Sequence, residues 1–600
     1  MKIEMKIATL FLFLQTFVSA QNTLITNTDN RSTQSLNGKW KIIVDPYENG
    51  FYNYRYEESA AGYFKNEKAA DPSQLVEYNF DASDELYVPG DWNSQMEMLK
   101  WYEGTIWYKR SFDYKKSEKQ KRVFVYFGAV NYKAHIYLNG KKIGEHTGGF
   151  TPFNFEITDL LVEKDNYLVV KADNKRSKDG VPTLNTDWWN YGGLTRDVQL
   201  IEVENTFVQD TYIQLKKGSL NEISGWVQLN GANKSQKIKV CIPDAKVDFE
   251  TTSDALGLAP IAIKTKLILW SPENPKLYKV LVIVGNDTLE DQIGFRCIET
   301  KGHDILLNKK QLLLKGICIH EEVPTRGARA YSMEDARLLL GWAKELGCNY
   351  VRLAHYPHNE NMTRLADQLG LVVWSEIPVY WTIEWSNPLV LENAKKQLTE
   401  MITRDKNKAS VMIWSMANET PLSMPRLTFL KALVDATRQL DSTRLISAAL
   451  EIHTSDKNTM MIDDPLGAYL DVLGCNEYIG WYGDKTPQAC DSISWTTKYN
   501  KPLVISETGA DAAYGMHGAN NVRFTEEYQE NYFKHQLAML QRIPFLRGVS
   551  PWVLADFRSP RRPLPSIQNF WNRKGLISEH GDRKKAFYVV QKFYADWQLK

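Results

Sequence analysis

Ser410-Val-Met-Ile-Trp-Ser-Met-Ala-Asn-Glu419 and Pro502-Leu-Val-Ile-Ser-Glu507-Thr-Gly509 decide how this chain is read. Each is a short, nearly unbroken apolar run that reaches a glutamate at or near its C-terminal end. Such runs read as strands buried on both faces, as in a parallel sheet. If both belong to one parallel barrel, their C-terminal ends share a rim, and active sites of such barrels lie at that rim. Two carboxylates across a cleft are the equipment for cleaving a glycosidic bond.

The surrounding sequence supplies the rest of a barrel. After Gly294-Phe-Arg296 the pattern alternates strand and helix, the signature of an α/β unit. Eight segments read as strands: Gln311–Ile319, Asn349–Ala354, Leu371–Ile377, Ser410–Met416, Leu445–Leu450, Val472–Cys475, Leu503–Ser506 and Gly548–Leu554. Between the first two, Ser332 reads as an N-cap with Asp335 three residues on. Ala336, Leu339, Leu340, Ala343 and Leu346 keep helical spacing, and Gly347 ends the helix. A second amphipathic helix is expected over Thr525–Arg542. These segments predict a (β/α)8 barrel over residues 298–600, with Glu419 closing its fourth strand and Glu507 its seventh.

Upstream, the periodicity is that of β structure. Thr105–Phe112, Arg122–Phe127, Ala134–Leu138, Asn166–Ala172 and Arg196–Ile201 are short aromatic and β-branched runs, and Asn139-Gly140 is a hairpin signal. They predict a jelly-roll-like β-sandwich over 21–204. A smaller alternating set over 205–297, including Ile223–Leu229 and Tyr278–Val284, predicts an immunoglobulin-like sandwich. The fold class is therefore multidomain β plus α/β.

Composition narrows the function classes. The chain carries 73 basic and 72 acidic residues, so charge gives no argument for nucleic acid or for an anionic membrane. Lys2 and Lys6 precede an apolar stretch from Ile7 to Val18, and Val18-Ser19-Ala20 is a fitting cleavage site; residues 1–20 read as a signal peptide, too short to span a bilayer. No later run reaches spanning length, so an exported periplasmic or secreted protein without membrane insertion is expected. The six cysteines are scattered and read mostly as core thiols. His355 and His358 fall on a Pro-containing loop with no third ligand nearby, so neither a metal nor another cofactor is expected.

The chemistry rests first on the two glutamates, which are far apart in sequence and can meet only through the fold. Asn418, beside Glu419, is suited to the sugar 2-hydroxyl, a contact that strengthens in the transition state. At this level a non-catalytic carbohydrate-binding protein stays open as a rival, although a pure binder has no need of both carboxylates.

Ordered motifs then carry a resemblance. Val88-Pro-Gly-Asp-Trp-Asn, Gly104-Thr-Ile-Trp-Tyr-Lys-Arg and Gly148-Gly-Phe-Thr-Pro-Phe lie in the first sandwich. Gly294-Phe-Arg296 and Lys315-Gly-Ile-Cys-Ile-His320-Glu321 mark the junction, and Asn418-Glu419 and Ser506-Glu507-Thr-Gly lie in the barrel. Over nearly the whole mature chain the sequence resembles the β-glucuronidase and β-galactosidase family of retaining glycosidases, glycoside hydrolase family 2, and the glucuronidase branch most closely. The resemblance implies Glu419 as acid/base and Glu507 as nucleophile. Asn476-Glu-Tyr478-Ile-Gly-Trp-Tyr482 resembles a glucuronidase segment, which implies Tyr478 beside the nucleophile and Tyr482 on the sugar. Asn572-Arg-Lys574 resembles the pair that holds a uronic acid carboxylate in that branch. His355, Trp552 and Asp187 match further substrate-binding positions; His320 and Glu321, at the rim after the first strand, read as orienting the site rather than transferring a proton. Two departures stand out: a longer segment between Phe557 and Asn572 with three arginines, and an acid at Glu477. The implied partner is a uronic-acid-containing oligosaccharide or glucuronide conjugate, with a β-galactosidase of the same family as runner-up. The aglycone, the choice between glucuronide and galacturonide, and the oligomeric state, a homo-oligomer included, stay open at this level.

Overall fold

The computed structural model describes residues 24–58, 69–74, 76, 78–115 and 121–598. The expected signal peptide therefore lies outside the described residues. Eight parallel strands form the C-terminal unit: β1 (Leu314–Lys315 and Cys318–Ile319), β2 (Tyr350–Leu353), β3 (Val372–Glu376), β4 (Val411–Asn418), β5 (Leu445–Leu450), β6 (Leu473–Asn476), β7 (Leu503–Glu507) and β8 (Leu546–Val549). They pair in chain order, and β8 pairs back onto β1 to close the barrel. β2 through β7 are buried at every position, which is why they read as continuous apolar runs rather than alternating ones.

Two strand boundaries differ from the sequence expectation. Lys310–Gln311 belongs instead to an antiparallel sheet with Ile298–Lys301 and Asp304–Leu307. β1 is split at Gly316, where a Cβ would stand 2.1 Å from the Tyr350 ring. β8 starts at Leu546 and ends at Val549, before Pro551, which has no N–H to give to a ladder.

Helices α1 (Met333–Glu345), α2 (Glu360–Leu369), α3 (Pro388–Asp405) and α4 (Met424–Leu440) follow the first four strands, and α5 (Glu526–Leu540) and α6 (Lys585–Asp596) the last two. The α1 capping box forms as expected: Ser332 accepts from the Asp335 N–H, and the Asp335 side chain reaches back to the Ser332 N–H. After β5 and β6 the connections hold only 3-10 turns, Pro465–Ala468 and Pro487–Ser492, with a small sheet of His453–Asp456, Thr459–Ile462 and Ser494–Thr497. No helix among the described residues is long and apolar enough to cross a membrane.

The first sandwich packs a six-stranded antiparallel sheet on a four-stranded one, and Asn139-Gly140 makes the expected hairpin turn, both residues at positive φ. The second packs sheets of three and four strands. Both are tied to the barrel by buried polar contacts. Arg196 of the first sandwich binds Glu321 at 3.0 Å and the Phe150 and Pro357 carbonyls. Asn407, beyond α3, bonds Ile213 and Thr211 of the second. These contacts hold the 174–191 loop of the first sandwich over the C-terminal rim of the barrel, where Asp187 and Trp188 join barrel residues.

Candidate active site

The strand ends bring the two glutamates into one network. Glu507 ends β7 and is buried. Its Oε1 accepts from Arg352 Nη1 at 2.6 Å and its Oε2 from the Tyr478 hydroxyl at 2.5 Å. Glu419 follows β4 with φ 49°, a left-handed conformation just past the strand, and is only half-buried. Its Oε2 accepts from the Trp381 indole N–H at 2.9 Å, and its Oε1 from the Asn476 amide at 2.9 Å. The same Asn476 amide also donates to Asn418 Oδ1 at 3.1 Å, and Ser506 fixes it by donating to Asn476 Oδ1 at 2.7 Å. Asn476 and Glu507 are register partners across β6 and β7.

Arg352, on β2 and fully buried, is the hub. It binds both oxygens of Glu376 at 2.9 and 3.0 Å, Glu507, the Ser506 carbonyl and Asn418 Oδ1. Glu376 also accepts from His355 Nδ1 at 2.8 Å. A carboxylate can only accept, so His355 carries its proton on Nδ1 and leaves Nε2, 3.6 Å from Glu507, as the second ring nitrogen. The Asn418 Nδ2 group is buried and has no protein partner, so it is the donor left for a ligand. Trp552, just beyond β8, stacks on His355 with ring centroids 4.8 Å apart.

Burial, the largest influence, raises the Glu507 carboxyl. Arg352 opposes it, Glu419 as a like charge adds to it, and the net displacement is upward. Burial also acts to raise Glu376, but Arg352 and His355 prevail and hold it at about 2. Thus Glu376 is the permanent counterion of Arg352, while Glu507 shares that cation.

A second cluster lies on the loops. Asp187, carried from the first sandwich, accepts from Ser559 at 2.5 Å, from Arg562, and from Asn572 Nδ2 at 3.3 Å. Arg562 also reaches the Tyr482 hydroxyl at 3.4 Å. Lys574 is buried beneath the faces of Trp481 and Tyr482 and donates to Asp511 Oδ1 at 2.6 Å. Burial acts to lower the Lys574 ammonium, but Asp511 outweighs it and the pKa is raised, so the lysine stays charged. The two cations, Lys574 and Arg562, thus stand beside two carboxylates, Asp511 and Asp187.

Profiles of one family cover this whole arrangement. "Glycosyl hydrolases family 2, TIM barrel domain" matches residues 298–599, "Glycosyl hydrolases family 2, sugar binding domain" matches 33–204, and "Glycosyl hydrolases family 2" matches 206–296. The chain belongs to glycoside hydrolase family 2. Among its relatives, a Bacteroides fragilis protein named β-glucuronidase is 30% identical over 572 residues, covering 85% of this chain and 78% of that protein. A protein of Formosa agariphila named as a β-glucuronidase is 28% identical over 82% of this chain; the match spans 64% of that relative's length. Among solved structures, a β-glucuronidase of an uncultured Clostridium sp. superposes with a TM-score of 0.81 at 25% identity, covering 96% of this chain and 99% of that one. A family 2 β-galacturonidase from Eisenbergiella tayi bound to galacturonate does so with a TM-score of 0.78 at 25% identity, covering 95% and 98%.

Seen as a family 2 hydrolase, the chain brings every expected site residue to the barrel mouth. Asn418, Glu419, Asn476, Tyr478, Glu507 and His355 form the inner network, with Trp552 stacked on it. Asp187, Tyr482, Asn572 and Lys574 form the outer one. His320 and Glu321 stand behind them: His320 bonds the Tyr356 hydroxyl at 3.1 Å, and Glu321 anchors Arg196. Sequence reasoning passed over Arg352, Glu376, Trp381, Asp511 and the placement of Arg562. A signal existed for the first two, since a lone charge inside an apolar strand demands a partner. Asp511 gave none, lying in an unpatterned loop. All six cysteines are free thiols and five are buried.

Proposed function

We propose that this protein is an exported retaining exo-glycosidase that removes terminal β-D-glucuronic acid, or a related uronic acid, from oligosaccharides or conjugates. One observation carries the assignment of roles: the two carboxylates are solvated differently. Glu507 is buried, which raises its carboxyl, but a cation and a phenol bonded to it oppose that and favour the ionised form a nucleophile needs. Glu419 is half-exposed and held only by neutral donors, the Trp381 indole and the Asn476 amide, a setting that suits the acid/base. In the first step a Glu507 oxygen bonds to the anomeric carbon, the glycosidic C–O bond breaks, and Glu419 gives its proton to the leaving oxygen. In the second, Glu419 takes a proton from water, the water oxygen bonds to the anomeric carbon, and Glu507 leaves as carboxylate. Asn418, whose Nδ2 group has no protein partner, serves the 2-hydroxyl.

The outer network supports the uronic acid. Asn572, Lys574, Arg562 and Tyr482 offer amide, ammonium, guanidinium and phenol donors in one place, which suits a carboxylate on C6. The relatives named β-glucuronidase favour glucuronide, and the galacturonidase likeness keeps the C4 epimer as the second reading. Export rests on the leader-like residues 1–20 alone. Activity on 4-nitrophenyl β-glucuronide, β-galacturonide, β-galactoside and β-mannoside tests the reading. A uronide should be hydrolysed fastest; a preference for the neutral galactoside overturns it.

A further inference from the structure

The loop after β8 crosses the mouth, and its adjacent arginines end on different partners. Arg562 pairs with Asp187 beside Tyr482. Arg561 lies over the face of Trp381, its guanidinium carbon 4.8 Å from the ring centroid, and donates to the Asn185 side chain of the first sandwich. Trp381 is the indole that holds Glu419. A group donating its proton to the leaving oxygen stands beside the leaving group, so Trp381 and Arg561 border that half of the cleft. Arg561 is exposed, and among the described residues it has no carboxylate partner, in contrast to Arg562. A guanidinium held over an indole face, with one N–H on Asn185, keeps further donors free, a fork that matches a planar or tetrahedral oxyanion. Asn185 and Trp381 hold that fork from two domains.

We infer that Arg561, Trp381 and Asn185 form a leaving-group subsite for a sugar bearing an oxyanion, a sulfate ester or a carboxylate. The inference rests on Glu419 being the acid. It predicts that the natural substrate is an anionic oligosaccharide on both sides of the scissile bond, and that a neutral aryl conjugate does not engage Arg561.

The test uses β-glucuronosyl disaccharides whose reducing-end sugar carries a sulfate ester, a carboxylate or neither, with 4-nitrophenyl β-D-glucuronide alongside. Wild type should favour an anionic disaccharide over the neutral one by about five- to tenfold in kcat/KM at low salt, chiefly through KM. Which of the two anions gains identifies the oxyanion. In R561A the ratio should fall to about one, and in R561K it should lie between. A ratio within one preparation does not depend on how much of the protein is folded. A wild-type ratio of one, or a ratio that survives in R561A, overturns the subsite. Failure of the wild type to cleave the aryl glucuronide overturns the proposed glucuronidase reading beneath it instead, and a Glu419→Ala variant that still cleaves the neutral disaccharide at the wild-type rate overturns the acid assignment.

Discussion

The inner and outer halves of the cleft are built by opposite means. The inner half stands on the barrel wall: Arg352 on β2, Glu376 on β3, Asn418 on β4, Asn476 on β6 and Glu507 on β7, each fixed by the parallel register of its strand. The outer half is gathered from loops: Asp187 from the first sandwich, Asp511 after β7, and Arg562, Asn572 and Lys574 after β8. The inner half has one arginine serving two glutamates, so its charge is tuned by competition. The outer half matches each cation with its own carboxylate, so it is balanced before any ligand arrives. On the proposed function, chemistry sits on the rigid elements and substrate choice where loops vary.

The sharpest way to break the comparison is at its centre. Glu507→Ala should lower kcat on 4-nitrophenyl β-D-glucuronide on the order of 10⁴-fold or more. Glu419→Ala should spare that reactive leaving group and fail on a disaccharide, because the lost step is protonation of the leaving oxygen. Equal losses on both substrates would erase the asymmetry between the two carboxylates.

The outer half makes the next largest claim. Lys574→Ala leaves Asp511 buried without its cation, which should cost about 3–5 kcal/mol of stability. The cleaner test is Lys574→Met combined with Asp511→Asn, which removes the pair together. Losing the contact to the uronate should then cost roughly 1.5–3 kcal/mol, about tenfold to a hundredfold in kcat/KM on β-glucuronide. Residual β-galactoside cleavage should change far less. Equal loss on both sugars would show that the outer half does not read the carboxylate.

The acid limb of the pH profile reports on the shared cation. Glu419 as a like charge raises Glu507, so Glu419→Gln should move the acid limb of kcat/KM on an activated aryl uronide to lower pH. Tyr478 lowers Glu507 by donating to it, so Tyr478→Phe should move the limb to higher pH. Shifts of the opposite sign would place the controlling group elsewhere.

The smallest effect concerns Glu477, which lies between two site residues yet points away from them. Burial, opposed by the Ile479 N–H and the Gln536 side chain, pushes its carboxyl up to about 8. A carboxyl raised in the folded state contributes stability that is full below the unfolded value, near 4.3, and is lost as pH rises through about 8. Denaturant titrations across that window should show a decline that Glu477→Gln removes. An identical decline in the variant would mean Glu477 is not its source.

The sequence by itself determined the parts that obey a local period. The eight apolar runs fixed the barrel, because a strand buried on both faces leaves no polar alternation to hide it. Ser332 and Asp335 fixed the start of α1, because a capping box is satisfied within four residues. Strand order then put Glu419 and Glu507 on one rim, and the motifs around them identified the family. Tertiary structure alone decided the rest. Whether Arg352 serves Glu376 or Glu507, which carboxylate meets Lys574, and which of the arginines in the 558–562 loop faces Asp187 are outcomes of long-range pairing. Arg562 and Asp187 are 375 residues apart, as are Asn572 and Asp187 by 385. No periodicity links such positions, since loop closure constrains them only after the sandwich has docked on the barrel.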